Sequence, residues 1–140
     1  VELLAPLLYD PLPEDVKPSV VRREDYWLTD EAASVYHRAA AVVSFECHSP
    51  IVAAANGTPC MYLHQPEDGI KGQMWNDVGL GDWKFEIEET TGAQIAGTLL
   101  GIEHDRLRAE SKVREAVLFA QGRHHHGAAV LSAALKGKGL

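Results

Sequence analysis

The stretch Val42-Val43-Ser44-Phe45-Glu46-Cys47-His48-Ser49-Pro50 decides the fold. A short apolar, β-branched run stops abruptly in Glu, His and Ser, then passes into the Ala-rich segment Ile51-Val52-Ala53-Ala54-Ala55, closed by Asn56-Gly57-Thr58-Pro59. Continuous apolar runs of this length suit strands buried on both faces of a parallel sheet, and the polar residues that follow lie where a helix begins. Open α/β sheets put their ligand sites at the carboxyl ends of such strands. The reading is a strand over residues 41–45, a polar crossing and a helix that starts at Ser49 as N-cap with Pro50 in its first turn.

The neighbouring segments repeat this rhythm. Thr29-Asp30-Glu31 supplies an N-cap and an acidic first turn for a helix running to about Ala39. Cys60-Met61-Tyr62-Leu63 reads as the next strand, with His64-Gln65-Pro66 at its end and a helix from about Asp68 to Val78, stopped by Gly79. Phe85-Glu86-Ile87 is a shorter strand. Residues 91–140 form a helical C-terminal part, with breaks expected near Asp105 and Gly122. Upstream, Leu3 to Tyr9 reads as a strand ended by the prolines at 11 and 13, and Ser19 to Arg22 as a second β-prone piece. Strands alternating with helices define an α/β fold, a Rossmann-like parallel sheet with helices on both faces, in one domain over residues 1–140.

With 140 residues, 46% of them hydrophobic, the chain is long enough to bury a core. It starts with Val1 rather than Met, and the expectation is a piece of a longer protein. A net charge of -7 without a Lys/Arg stripe argues against a nucleic-acid partner, because phosphate-backbone binding needs clustered cations. No apolar run approaches the roughly 20 residues that cross a bilayer, and Cys47 and Cys60 have no metal-ligand spacing. A cytoplasmic location with both thiols reduced is expected. His124-His125-His126 lacks partner ligands at useful spacing, so no metal is expected. Trp27, Trp75 and Trp83 read as packing residues.

The candidate site residues follow from their places at strand ends. His48, beside a helix N-terminus, can bind an anion or move a proton near neutral pH. Glu46 opposes an anion there, since two like charges about 4 Å apart repel by roughly 4 kcal/mol at an effective dielectric near 20. It therefore meets hydroxyls or a cation, accepts backbone N–H bonds, or pairs with an arginine such as Arg22 or Arg23. Ser49, His64, Gln65 and Lys71 complete the set at the same edge of the sheet.

As an ordered set, Trp27, Asp30-Glu31-Ala32, Val42-Val43-Ser44, Cys47-His48-Ser49, Gly57-Thr58-Pro59, Lys71 and Gly79-Leu80 resemble the C-terminal half of the polysaccharide pyruvyl transferase family, over roughly residues 27–87. The resemblance implies one half of a glycosyltransferase-B-like architecture, partnered by an N-terminal half of the same protein and inactive alone. It implies transfer of the enolpyruvyl group of phosphoenolpyruvate, the donor, to a saccharide hydroxyl, the acceptor, in exopolysaccharide biosynthesis, with no further cofactor. His48 would be the catalytic residue and Lys71 would steady the donor's charge. Where the family carries Arg two residues before its His, this chain carries Glu46, and a bidentate cation is replaced by an anion. Glu46 brings in an alternative, the nucleotide-sugar-binding half of a glycosyltransferase or epimerase, and a further one, a non-catalytic degenerate domain.

Overall fold

The computed structural model describes residues 5–137, and the chain divides into two compact units, Val1–Glu31 and Ala32–Leu140. In the first, none of the described residues is buried, and local polar and aromatic contacts supply the order. A π-helical turn spans Ala5–Tyr9 and closes with Asp10 N–H donating to the Ala5 carbonyl at 2.9 Å. The strand expected from Leu3 to Tyr9 is thus replaced by a turn, and Leu3 and Leu4 lie outside the described residues. Without a partner strand the run has nowhere to place its backbone groups except in local hydrogen bonds. Lys17–Ser19 is a 3-10 turn, and residues 20–24 have no regular secondary structure, so the β-prone piece is not a strand either. Lys17 pairs with Glu14, Arg22 with Glu24 and Arg23 with Glu31, while the Arg23 guanidinium stands 4.8 Å from the centre of the Trp27 ring. Trp27 stays 40% exposed, so it does not serve as a core residue.

The second unit is built on a three-stranded parallel sheet. Helix α1 (Thr29–Arg38) leads to β1 (Val42–Ser44), α2 (His48–Ala55) and β2 (Cys60–His64). A 3-10 segment, Pro66–Gly72, and the short helix α3 (Gln73–Asp77) lead to β3 (Lys84–Glu86), after which α4 (Gly92–His104) and α5 (Arg106–Lys136) end the described chain. Strand order is β1-β2-β3, with Val42 opposite Cys60, Ser44 opposite Tyr62 and His64 opposite Glu86. All five residues of β2 are buried, as a central parallel strand requires.

Met61, Tyr62, Trp75, Leu80 and Trp83 form the centre of the core, and α5 joins it through Ala109, Val113 and Ala116, spaced for one helix face. Two polar links fix the first crossover: the Tyr36 hydroxyl donates to Ser49 Oγ at 3.0 Å, and the Thr58 hydroxyl donates to the Tyr36 carbonyl at 2.8 Å. Gly57 and Gly79 both have φ near +80°, and each supplies the left-handed step that stops the helix before it. The segment expected as one helix from Asp68 to Val78 divides because Gly69, at φ 57, breaks the helical path. The break at Asp105 is present, with the Asp105 carboxylate accepting the Arg108 N–H, whereas α5 runs unbroken through Gly122. A lone mid-helix glycine costs only about 1 kcal/mol relative to alanine, and no capping signal accompanies it.

Gly72, at the end of the 3-10 segment, packs directly against His64 of β2. A Cβ there would stand 2.7 Å from Cδ2 of His64, whose ring is pinned by Glu86 and by the Gly69 carbonyl and has no room to retreat. Gly97, by contrast, faces open space on α4. Gly72→Ala is expected to lower unfolding free energy by about 1–3 kcal/mol in urea titrations, and Gly97→Ala to raise it by about 0.5–1 kcal/mol.

Candidate functional site

The site is built at the carboxyl edge of β1 and β2. β1 ends in a tight polar turn: Ser44 Oγ accepts the Glu46 N–H at 3.0 Å and donates to the Glu46 carbonyl at 3.1 Å. This turn swings the Glu46 side chain back over the first turn of α2. Its Oε2 accepts the N–H groups of His48 and Ser49 at 2.9 and 3.1 Å, and its Oε1 faces His48 Nδ1 in a short contact. The free N–H groups of a helix start are the natural seat for an anion. Here the chain's own carboxylate takes that seat. The expected N-cap, Ser49, is instead inside the helix, and Cys47 in the cap position gives no side-chain cap. Ser49 has no nearby N–H left to satisfy once Glu46 has reached it.

Partial burial pushes the Glu46 carboxyl up, but the hydrogen bonds from the His48 backbone and ring and from Ser49 outweigh it and hold the group below the ordinary carboxylate range. A carboxylate accepts only, so it fixes the proton of a neutral His48 on Nδ1. Nε2 meets no partner among the described residues, and the side chain is 78% exposed. His48 is therefore an oriented imidazole, held from behind by a charge and open in front.

Lys71 reaches the same edge. Its ammonium lies 3.8 Å from Asp68 Oδ1, and both act on Cys47 through space, Lys71 favouring the thiolate and Asp68 opposing it. Burial and the Glu46 charge prevail, so the Cys47 thiol is pushed up and stays protonated. The Tyr62 hydroxyl donates to Asp68 Oδ2 at 2.7 Å, and this bond is the main reason the Asp68 carboxyl is held low. Burial first, then Asp68, pushes Tyr62 up. Sequence reasoning missed Tyr62, Asp68 and Cys47 as members of this cluster. Asp68, three residues after Gln65 and beside Pro66, was the one accessible signal.

The remaining candidates separate. His64 is buried, with Nδ1 2.6 Å from Glu86 Oε2 and Nε2 3.0 Å from the Gly69 carbonyl, so it ties β2 to β3 and to the following turn rather than facing a ligand. Gln65 caps that turn, its N–H directed at Asp68 Oδ2 from 3.4 Å. Ser49 is held by Tyr36 and Glu46. Cys60 is buried in the core, where burial pushes its thiol up to about 12.

The histidines at 124–126 lie on exposed turns of α5. Among the described residues, the set of metal donors gathered closely enough to share an ion is Glu46, Cys47 and His48, whose ligand atoms lie within 4.8 Å of one another. A cation there would have to displace both the Cys47 proton and the Glu46–His48 contact. No helix of the described residues is long and apolar enough to cross a membrane.

The fold and site define an α/β unit with a parallel sheet and an oriented histidine at its carboxyl edge. Compared with protein-family models, with curated proteins and with solved structures, the chain finds no match in any of the three.

Glu46, Asp68, Asp82 and Glu86 are all held below their ordinary values, Asp82 by Lys112 and Glu86 by Lys84 and His64. A depressed carboxyl stabilises the fold above its ordinary value, and that contribution is lost as pH falls through the lower folded-state value. The melting temperature is expected to hold from pH 7 down to about 5 and to drop steadily below about 4. Glu86→Gln should make the drop shallower when melting is followed by circular dichroism.

Proposed function

We propose that this chain is a Rossmann-like half of a glycosyltransferase-B-like transferase of cytoplasmic polysaccharide synthesis, pyruvyl transferase-like, with His48 as its proton-transfer residue. The observation that carries this reading is the Glu46–His48 pair: an exposed imidazole at the carboxyl edge of a parallel sheet, with Nδ1 turned to a carboxylate and Nε2 open. A group held in this way accepts a proton from an attacking hydroxyl and returns one later, the role a base near neutral pH performs best.

The donor is phosphoenolpyruvate and the acceptor a saccharide. One hydroxyl adds to C2 of the enol while C3 takes a proton, phosphate leaves, and a second hydroxyl closes the ketal and gives up its proton. Because Glu46 fills the start of α2, the donor's negative charge is met by Lys71, whose side chain is 57% exposed, rather than by the helix N–H groups. The like charge of Glu46 is offset by His48 when the ring carries its second proton. The N-terminal half of the same protein closes the cleft and brings the acceptor.

Phosphoenolpyruvate is expected to bind the 140-residue chain saturably in calorimetric titration. His48→Ala and Lys71→Ala should each weaken it by about tenfold or more, the value of one charge-assisted hydrogen bond. Unchanged affinity in His48→Ala removes the histidine from the site. Binding of UDP-glucose without binding of phosphoenolpyruvate replaces this donor with a nucleotide sugar.

A further inference from the structure

Consecutive residues usually send their side chains apart, but the chain reverses at Cys47, between the end of β1 and the start of α2. The Ser44 turn swings Glu46 back over the helix from one side, and His48, its first residue, meets Glu46 from the other. Cys47 lies between them, only 6% exposed. Its Sγ stands 3.8 Å from Glu46 Oε1 and 3.9 Å from His48 Nδ1, and among the described residues it has no other polar contact. A buried thiol is thus aimed at a carboxylate oxygen and an imidazole nitrogen that also face each other.

This triangle has the dimensions of a metal's ligand shell. With bonds of about 2.3 Å to sulfur and about 2.0–2.1 Å to nitrogen and oxygen, tetrahedral angles put the sulfur about 3.5–3.6 Å from each of the other two donors. The separations from Sγ exceed this by a few tenths of an ångström. The third edge, Oε1 to Nδ1, is shorter because a hydrogen bond joins the two, and the His48 side chain, 78% exposed, has space to open it. Glu46 is also prepared as a one-oxygen ligand: Oε2 is held by the His48 and Ser49 N–H groups, which leaves Oε1 for a cation.

Donor chemistry selects the cation. One sulfur, one imidazole nitrogen and one carboxylate oxygen suit Zn2+ and its first-row neighbours, whereas Mg2+ and Ca2+ take oxygen ligands. The carboxylate and a thiolate together balance a divalent charge, which the partial positive charge of the helix start opposes. Lys71, the cation that acts on Cys47 through space, has its own charge answered by Asp68 at 3.8 Å.

We propose that Glu46 Oε1, Cys47 Sγ and His48 Nδ1 form a three-ligand site for Zn2+ or a similar thiophilic divalent cation, with the fourth position open to solvent. On binding, the thiol proton leaves to solvent and the ring proton moves from Nδ1 to Nε2. His48 then has no free nitrogen for the base role proposed above, so the metal-bound and proton-carrying states exclude each other. The site does not rest on the transferase reading, and its failure would leave phosphoenolpyruvate binding untouched.

The reduced 140-residue chain is titrated with Co2+, followed by absorption, and with Zn2+ in competition with a chromophoric chelator. One equivalent of Co2+ is expected to give a thiolate-to-cobalt charge-transfer band in the near ultraviolet, which Zn2+ removes. Cys47→Ser should abolish the band while circular dichroism shows the fold retained. His48→Ala and Glu46→Gln, at exposed positions, should each weaken Zn2+ by about tenfold or more, at least the cost of losing a supporting partner of a metal ligand. Combined alanine replacement of His124, His125 and His126 should leave both band and affinity unchanged. Absence of the band overturns the proposal, as does its survival in Cys47→Ser. Zn2+ affinity unchanged in His48→Ala or in Glu46→Gln, or lost with the three histidines of α5, overturns it equally.

Discussion

The complete burial of Cys60–His64 is the constraint on which the rest of the second unit depends. A strand with a ladder on each edge and all its side chains out of water has its position fixed by hydrogen bonding and packing together. β1 and β3 take their register from it, and the crossovers between them are set by the need to return in the parallel sense. The carboxyl edge is a consequence of that parallel arrangement. Residues 46–48 and 64–71 meet at one end because both strands point the same way, although nothing in their local sequences requires them to be neighbours.

At that edge the decisive element is one charge. With Arg at position 46, two unpaired helix N–H groups and a guanidinium would all face an incoming anion. With Glu, the carboxylate satisfies those N–H groups itself, and what remains outward is an imidazole whose orientation it controls. The acidic side chain therefore does more than carry a sign. It closes the start of α2 to an outside anion and fixes the imidazole, while Lys71 on the neighbouring segment keeps a side chain that is 57% exposed. The low position of the Glu46 carboxyl has the same origin, since hydrogen bonds donated to the charged form oppose and exceed the effect of burial.

Much of this fold was legible in the sequence because its signals are local. The Thr29 start, the glycines at 57 and 79 and the apolar runs at 42–44 and 60–63 each carry a backbone or burial requirement that only one conformation meets. What could not be read depends on distant partners. Residues 5–9 and 19–22 are β-prone, but a strand needs a ladder, and without one the first folds into a turn and the second, after the 3-10 turn that ends at Ser19, takes no regular structure. His64 looked like a ligand because it ends a strand. Its true surroundings, Glu86 on β3 and the Gly69 carbonyl, are set by register and by a positive φ five residues later. The carboxyl end of β1 was located by its place in the topology, whereas the turning back of Glu46 follows from the Ser44 side chain, whose role in that turn no spacing rule announces.

Helix α5 shows the same division between anchored and free structure. Its first turns are held by Ala109, Val113 and Ala116 in the core, and beyond Val117 every described residue is exposed, yet the helix continues to Lys136. Helix nucleation is costly while each further residue adds a hydrogen bond at little expense, so an anchored start propagates into solvent through good helix formers such as Ala128, Ala129, Ala133 and Ala134. The transition from anchored to free falls where α5 passes over an apolar groove beside Trp75. There the packing of α2 and α3 against α5 ends with apolar walls uncovered.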